Sequence, residues 1–224
     1  MPEKGFTKWH NNSTQISVRI FFVIRIFNIE NMLGLKLPTD PRWANLAGKS
    51  IEEILTDHAY CEQKAASTSI SLIQTYPDFE NVVEALSPIV KEEWGHFELV
   101  LEHLKKRNLK LGLQRKDVYV NELRKFIING GSRKNSLIEK LLFSALIEAR
   151  SCERFKLLSK EITDDELKSF YRNLMVSEAG HYRLFLDMAC ELGDKEEVMK
   201  RWEAWLNYEA SIMKKIEIRG DRMH

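Results

Sequence analysis

The sequence predicts an all-α protein built on a bundle of four long helices, with an additional helix near the C-terminus. From about residue 50 onward, apolar residues recur at steps of three and four, the spacing of one buried helix face. Apolar residues make up 44% of the 224 positions, and only five prolines and ten glycines interrupt them, so the chain can form a full core. We therefore expect one compact helical domain.

The composition narrows the class of protein. The formal net charge is +1, so any surface that binds nucleic acid must be local. The three cysteines form no Cys-x-x-Cys pair and leave an odd count, which is typical of free thiols in a reducing compartment. No apolar run approaches the roughly 20 residues that span a bilayer. We therefore expect a cytoplasmic protein that does not bind a membrane.

Residues 1–32 differ from the rest of the chain. The stretch 16–27 is apolar but contains Arg19 and Arg25, and it lacks the small-residue cleavage site of a secretory signal. Met32 stands just before the globular pattern begins. We interpret residues 1–32 as a poorly ordered extension or the product of an upstream start codon, and 33–224 as the helical domain. A membrane-surface helix is the less favoured alternative, because the composition is strand-like.

The first two long helices form a predicted hairpin. The first runs from about 50 to 75, with Ser50 as its N-cap and Glu53 placed for a capping box. Tyr76-Pro77-Asp78 ends it, and the second helix runs from about 78 to 107.

A long crossover leads to a second hairpin. The crossover holds a short helix near 117–128 and a break at Gly130-Gly131. The third long helix spans about 136–160, the fourth about 163–193, and the last helix about 195–216. Two short links with one long crossover between the second and third helices predict a ferritin-like four-helix bundle with an additional C-terminal helix.

Each buried stripe of the four long helices carries a carboxylate near its middle. Two stripes repeat the pattern Glu-x-x-His, at Glu93–His96 and Glu178–His181, which places both side chains on one helix face. Glu62 precedes Glu93 by 31 residues, and Glu148 precedes Glu178 by 30. The chain thus contains two similar helix pairs, each with one Glu followed by one Glu-x-x-His.

Buried carboxylates must be paired, protonated or bound to metal, because an isolated charge in an apolar core is very costly. Four carboxylates and two imidazoles form a hard, oxygen-rich set that suits iron or manganese better than structural zinc. The six residues are therefore candidate ligands of two metal ions that leave open positions for oxygen. The alternative is a set of buried Glu–His pairs that are only hydrogen-bonded to each other.

Three further residues near these stripes have roles that their spacing does not determine. Glu153 is the rival of Glu148, but it lies off the buried stripe, so we interpret it as a solvated charge or one that supports a ligand. His58, one turn before Glu62, is either a donor to that carboxylate or a core histidine. We expect His103 at the surface.

The crossover is strongly basic. Between residues 105 and 134, ten basic residues face only Asp117 and Glu122, with Tyr119 and Phe126 interleaved. Such a local excess favours contact with a phosphate backbone. The candidate contacts are Arg115, Lys116, Arg124 and Lys125. An ordinary solvated face is the alternative.

Several segments resemble one family, the MiaE-type tRNA hydroxylases. They are LGLKLPTDPRW (33–43), DHAYCEQKAA (57–66), EEWGHF (92–97), QRKDVYV (114–120), EARSCERF (148–155) and SEAGHY (177–182). The resemblance covers the chain from about Leu33 to its C-terminus.

The resemblance implies a ferritin-like, non-haem di-iron monooxygenase. This family uses O2 to hydroxylate the isopentenyl group of 2-methylthio-isopentenyl-adenosine beside the tRNA anticodon. Its metal ligands correspond here to Glu62, Glu93, His96, Glu148, Glu178 and His181. The expected cofactor is two Fe ions, and the expected partners are tRNA and an external electron donor such as a ferredoxin or reductase. The alternatives are a ferroxidase or iron-binding protein, and a di-iron oxygenase acting on another substrate.

Overall fold

The structure is a computed structural model that describes residues 33–224. This part of the chain contains seven α-helices and no strand. The helices are α1 (Arg42–Lys49), α2 (Ile51–Thr75), α3 (Glu80–Lys106), α4 (Val118–Arg124), α5 (Arg133–Glu161), α6 (Asp165–Leu192) and α7 (Lys195–Met213). The predictions for residues 1–32 lie outside the described residues.

The four long helices form two hairpins. Helices α2 and α3 pack along each other, as do α5 and α6, and these two pairs account for most of the close approaches between helix backbones. The long connection from α3 to α5 carries the short α4. The predicted all-α bundle, its connectivity and the additional helix after the fourth long one are confirmed.

Helix α5 lies at the centre of the fold. Buried residues occur on all its faces, because α1 and α7 also contact it. Arg150 is fully buried among four polar partners: it donates to Glu153 at 2.7 Å, to Glu209 at 2.8 Å, to the carbonyl of Leu37 at 2.9 Å and to the hydroxyl of Thr39 at 3.1 Å. This network joins α5 to α7 and to the segment before α1.

Several helix ends differ from the predicted ones. Ser50 makes no side-chain cap bond at the start of α2, so the predicted capping box is wrong. Helix α5 begins earlier than expected, because Ser132 accepts a hydrogen bond from the amide of Asn135. Helix α6 begins at Asp165, slightly later than expected, with Asp164 as its N-cap. Helix α1 was not predicted at all.

The glycine break before α5 is confirmed. Gly130 and Gly131 have φ angles of 97° and 81°, in the region where a side chain is strained. None of the helices in residues 33–224 is long and apolar enough to cross a membrane. The three cysteines are free.

Candidate di-metal centre

The six predicted ligands meet in the middle of the bundle. Their ligand atoms form two groups of four, and within each group these atoms lie within 4.8 Å of one another. The first group is Glu62, Glu93, His96 and Glu178, and the second is Glu93, Glu148, Glu178 and His181. Glu93 and Glu178 belong to both groups, so they are placed to bridge two ions.

In the first group, the ring of His96 faces three carboxylates. Its Nδ1 atom lies 3.5 Å from Oε2 of Glu62, 3.5 Å from Oε1 of Glu178 and 3.7 Å from Oε2 of Glu93. These contacts bring α2, α3 and α6 to one point. The spacing leaves room for a cation between the imidazole nitrogen and the carboxylate oxygens.

In the second group, His181 is held from both sides. Its Nδ1 lies 2.7 Å from Oε1 of Glu93 and 3.3 Å from Oε2 of Glu178, while its Nε2 lies 2.9 Å from Oε2 of Glu92. Glu92 was not among the predicted site residues. Its side chain is about half exposed, so apolar periodicity gave no signal for it; only the docking of α3 against α6 brings it to His181.

Several buried polar atoms in these groups have no hydrogen-bond partner among the described residues. They include Oε2 of Glu93, Oε1 of Glu178 and Nδ1 of His96. Such atoms are rare in folded proteins, because leaving them without a partner costs about 1–3 kcal/mol each. They point into one cluster of oxygen and nitrogen donors, which suits hard transition-metal cations. The residues therefore fit a pair of iron ions.

The pKa shifts of the clustered residues also favour a site that binds cations. Burial raises the pKa of Glu148 well above its usual range, and the neighbouring Glu178 raises it further. Burial also raises the pKa of Glu62. Burial alone lowers the pKa of His96, but Glu62 and Glu93 outweigh it and raise the pKa to about 10. The cluster thus takes up positive charge, as protons or as metal ions.

His58 supports Glu62 from behind. It is fully buried, and its Nε2 lies 2.5 Å from Oε1 of Glu62. Burial lowers the pKa of His58 to about 3, so the ring is neutral and shares one hydrogen bond with that carboxyl group. The ring packs against Phe155 and Tyr171, with centroids 4.9 and 5.5 Å away. His58 is therefore both a core residue and a hydrogen-bond partner of a candidate ligand.

Glu148 and Glu153, the two candidate ligands on α5, lie in different environments. Glu148 lies in the second group, whereas Glu153 lies in neither. Glu153 is 9% exposed and accepts hydrogen bonds from Thr39 and Arg150, so the interpretation as a solvated charge is wrong. The expected exposure of His103 is also wrong: it is 7% exposed and packs on Phe170.

Some basic side chains of the crossover already have carboxylate partners. Arg115 pairs with Asp221 at 2.9 Å, and Lys125 pairs with Glu122 at 2.6 Å. Lys116 and Arg124 are exposed, and neither has an ion pair within residues 33–224. Of the four predicted phosphate contacts, two side chains are thus already paired with carboxylates, and two are available to a phosphate.

The interleaved aromatic residues do not face solvent as base-stacking platforms. Tyr119 is 1% exposed, and its hydroxyl donates to Glu209. Phe126 stacks on Tyr208 with ring centroids 4.2 Å apart. Both aromatic side chains instead pack the crossover against α7.

Comparisons with known proteins give consistent results. A family model described as tRNA-(MS[2]IO[6]A)-hydroxylase (MiaE) matches residues 26–224. The chain is similar to a tRNA 2-(methylsulfanyl)-N(6)-isopentenyladenosine(37) hydroxylase of Pseudomonas putida, with 37% identity over 172 residues, covering 77% of this chain and 82% of that one. It is similar to the Salmonella typhimurium protein of the same name, with 27% identity over 228 residues, covering 80% and 83%.

One solved structure shares the fold. It is described as protein 43 with aldehyde deformylating oxygenase activity from Synechococcus. The TM-score is 0.80 with 33% sequence identity, and the match covers 85% of this chain and 94% of that one.

Proposed function

The chain belongs to the MiaE family of tRNA hydroxylases, and from this membership we propose that it is an O2-dependent di-iron monooxygenase. Its substrate is the isopentenyl group of 2-methylthio-isopentenyl-adenosine next to the tRNA anticodon. The observation that carries this proposal is the pair of overlapping four-residue groups at the centre of the bundle, which share Glu93 and Glu178.

Two iron ions would be held by the six residues of these groups. When bound, iron supplies the redox chemistry that activates O2 and oxidises a C–H bond. The chain contributes the positions of the ligands: Glu92 orients His181, and His58 orients Glu62. The surrounding apolar and aromatic side chains exclude water from the site.

The reaction requires two electrons from outside the chain. The sequence contains no recognisable flavin or nicotinamide motif, so the proposal includes an external donor such as a ferredoxin or reductase. A tRNA substrate and a reductant of this kind place the protein in the cytoplasm.

The tRNA backbone would contact the basic crossover. Of its four candidate residues, Lys116 and Arg124 are exposed and carry most of the expected attraction. Arg115 and Lys125 contribute less, because each already has a carboxylate partner. The target adenosine lies in a single-stranded anticodon loop, where a base can leave the stack and enter a pocket.

A second candidate function is di-iron oxygenation of another substrate, such as an aldehyde. The Synechococcus protein described by its aldehyde deformylating oxygenase activity favours it, because it shares the fold at 33% identity. The basic crossover favours the RNA substrate over this alternative.

Mass spectrometry of tRNA nucleosides tests the proposal. Cells that lack the protein should accumulate 2-methylthio-isopentenyl-adenosine, and the wild-type gene should restore its hydroxylated form. A gene carrying His181→Ala should not restore it, whereas one carrying the exposed control Glu98→Ala should. The same purified protein is also incubated with a long-chain aldehyde. Unchanged tRNA nucleosides together with aldehyde turnover would replace the proposal by the alternative.

A further inference from the structure

A cleft between α2, α4 and α5 reaches one candidate metal ligand. Its lining includes Arg124, which is exposed, and Ile147, which is half-buried. It also includes Phe185, which is 2% exposed, and Glu148, which is 5% exposed. The cleft therefore leads from the surface of the bundle to the second group of ligands.

The lining changes character along this path. The buried lining residues are Phe143 and Phe185 with Ser69, Ser144 and Glu148, and the half-buried Ala65 and Ile147 add to the apolar surface. Its outer part is polar and charged, with Lys64, Asp117 and Arg124. A prenylated nucleoside has the same division, because its hydrocarbon chain carries no polar atom and its base and phosphate do.

The volume of the cleft favours an isopentenyl chain over a purine as its occupant. Its volume is about 60 Å³. Since a water-sized group needs roughly 10–15 Å³, this is room for about four to six such groups. An isopentenyl chain, with about five carbons, is of this size, whereas a purine of about ten ring and exocyclic atoms is too large.

Resting on the proposed function, we propose that this cleft is the binding site of the isopentenyl chain and that Ile147 sets the length of chain it accepts. The hydrocarbon enters past Ile147 towards Glu148, and the adenine stays at the mouth beside Asp117. Arg124 then faces a phosphate beside the modified nucleoside, while Nζ of Lys64 lies 3.6 Å from Oδ2 of Asp117. The cleft thus brings the chain, and not the base, to the metals.

Ile147 is the residue of choice for a test, because it is half-buried and lies on the path rather than in the centre of the core. Ile147→Ala widens the cleft, and Ile147→Phe narrows it. Ile138→Ala is the matched control, since Ile138 is also a half-buried isoleucine of α5 but lies outside the cleft lining.

The substrates are two anticodon stem–loop RNAs that carry either N6-isopentenyl or the longer N6-geranyl group on the same 2-methylthio-adenosine. Ile147→Ala should raise the geranyl-to-isopentenyl ratio of kcat/KM by about tenfold or more, because a few methylenes in an apolar pocket discriminate by this order. Ile147→Phe should lower kcat/KM for the isopentenyl RNA by about tenfold or more. Iron content, measured on each sample, should not change.

Two results would overturn the proposal in distinguishable ways. An active wild-type chain whose substrate ratio is the same in both Ile147 variants as in Ile138→Ala excludes the cleft as the prenyl site. A wild-type chain that retains iron but is inactive on both RNAs overturns the proposed function, and the assignment of the cleft falls with it.

Discussion

Oε2 of Glu92 lies 2.9 Å from Nε2 of His181, so a half-exposed carboxylate on α3 fixes the ring of a buried histidine on α6. Partners of this kind orient a ligand ring and raise its basicity. Glu92→Ala should therefore weaken iron binding by about 10- to 100-fold without unfolding the protein. Iron titration under anaerobic conditions measures this. Glu98→Ala, an exposed glutamate of the same helix, is the control and should bind as wild type does.

Metal content tests the ligand set. Glu93→Ala should lose both irons, because Glu93 belongs to both groups of ligand atoms. His181→Ala should lose iron mainly from the second group. The measurements are iron per chain and the absorbance of the oxidised site. Full iron occupancy in a variant that carries both Glu62→Ala and Glu148→Ala would contradict the assignment.

Glu148 and Glu153 should respond differently to the same change. Glu148→Gln should abolish hydroxylation while the protein stays folded. Glu153→Gln should leave iron bound but lower the free energy of unfolding by roughly 3 kcal/mol, since it breaks a buried ion pair with Arg150. Chemical denaturation and iron content, measured together, distinguish the two. Equal loss of iron in both variants would show that α5 presents a different face to the metals.

Two groups of the iron-free centre should lose their contribution to stability as pH rises. The pKa of Glu148 is raised by burial, and that of His96 is raised to about 10 by Glu62 and Glu93 despite burial. Between the unfolded and folded pKa values of each group, the folded state binds more of its proton, so the contribution of Glu148 falls from about pH 4.3 upward and that of His96 from about pH 6.5. Burial lowers the pKa of His58 to about 3 and gives it the opposite slope, so the test compares variants: the stability of apo Glu148→Gln should fall less steeply than that of apo wild type.

Urea denaturation across pH 4 to 9, with iron removed by a chelator, measures this slope. The iron-loaded wild type serves as the comparison, because the bound metal replaces the protons. A steeper fall in apo Glu148→Gln than in apo wild type would contradict the electrostatic account.

The basic crossover should act through two of its four candidate residues. Neutralising Lys116 and Arg124 together should weaken tRNA binding and reduce the slope of log affinity against log salt by about 0.7 to 0.9 per lost phosphate contact. Lys125→Gln should change the slope less, because Lys125 already pairs with Glu122. Filter binding at several salt concentrations measures the slopes, and iron is assayed on the same samples. Lys200→Gln, on the exposed face of α7, is the control.

Apolar periodicity was sufficient to locate the ligand candidates, because a helix face repeats at fixed steps along the sequence. Glu62, Glu93, Glu148, Glu178 and the two paired histidines could be found in this way. Periodicity did not predict the burial of a side chain that is covered by other polar groups and does not lie on an apolar helix face. Glu153 is an example, since Arg150 and Thr39 cover it from outside its own stripe.

Contacts between distant segments also left no trace in the sequence. His224 lies outside every predicted helix, yet it is 8% exposed, stacks on Tyr119 and lies beside Ser151 of α5. Asp117 serves as the N-cap of α4 and also joins the cleft lining. The cap is a local role, but the place of Asp117 in the cleft and the contacts of His224 depend on how the crossover and the last residues return to the bundle.

Each group of ligand atoms draws on both hairpins. The first takes Glu62, Glu93 and His96 from α2 and α3 but needs Glu178 from α6, and the second takes only Glu93 from the first hairpin. During synthesis on the ribosome, the first hairpin emerges well before the second. At that stage it offers an incomplete set of donors, so we expect a nascent chain to bind iron weakly. The set of donors becomes complete only when α6 has emerged and docked against α3.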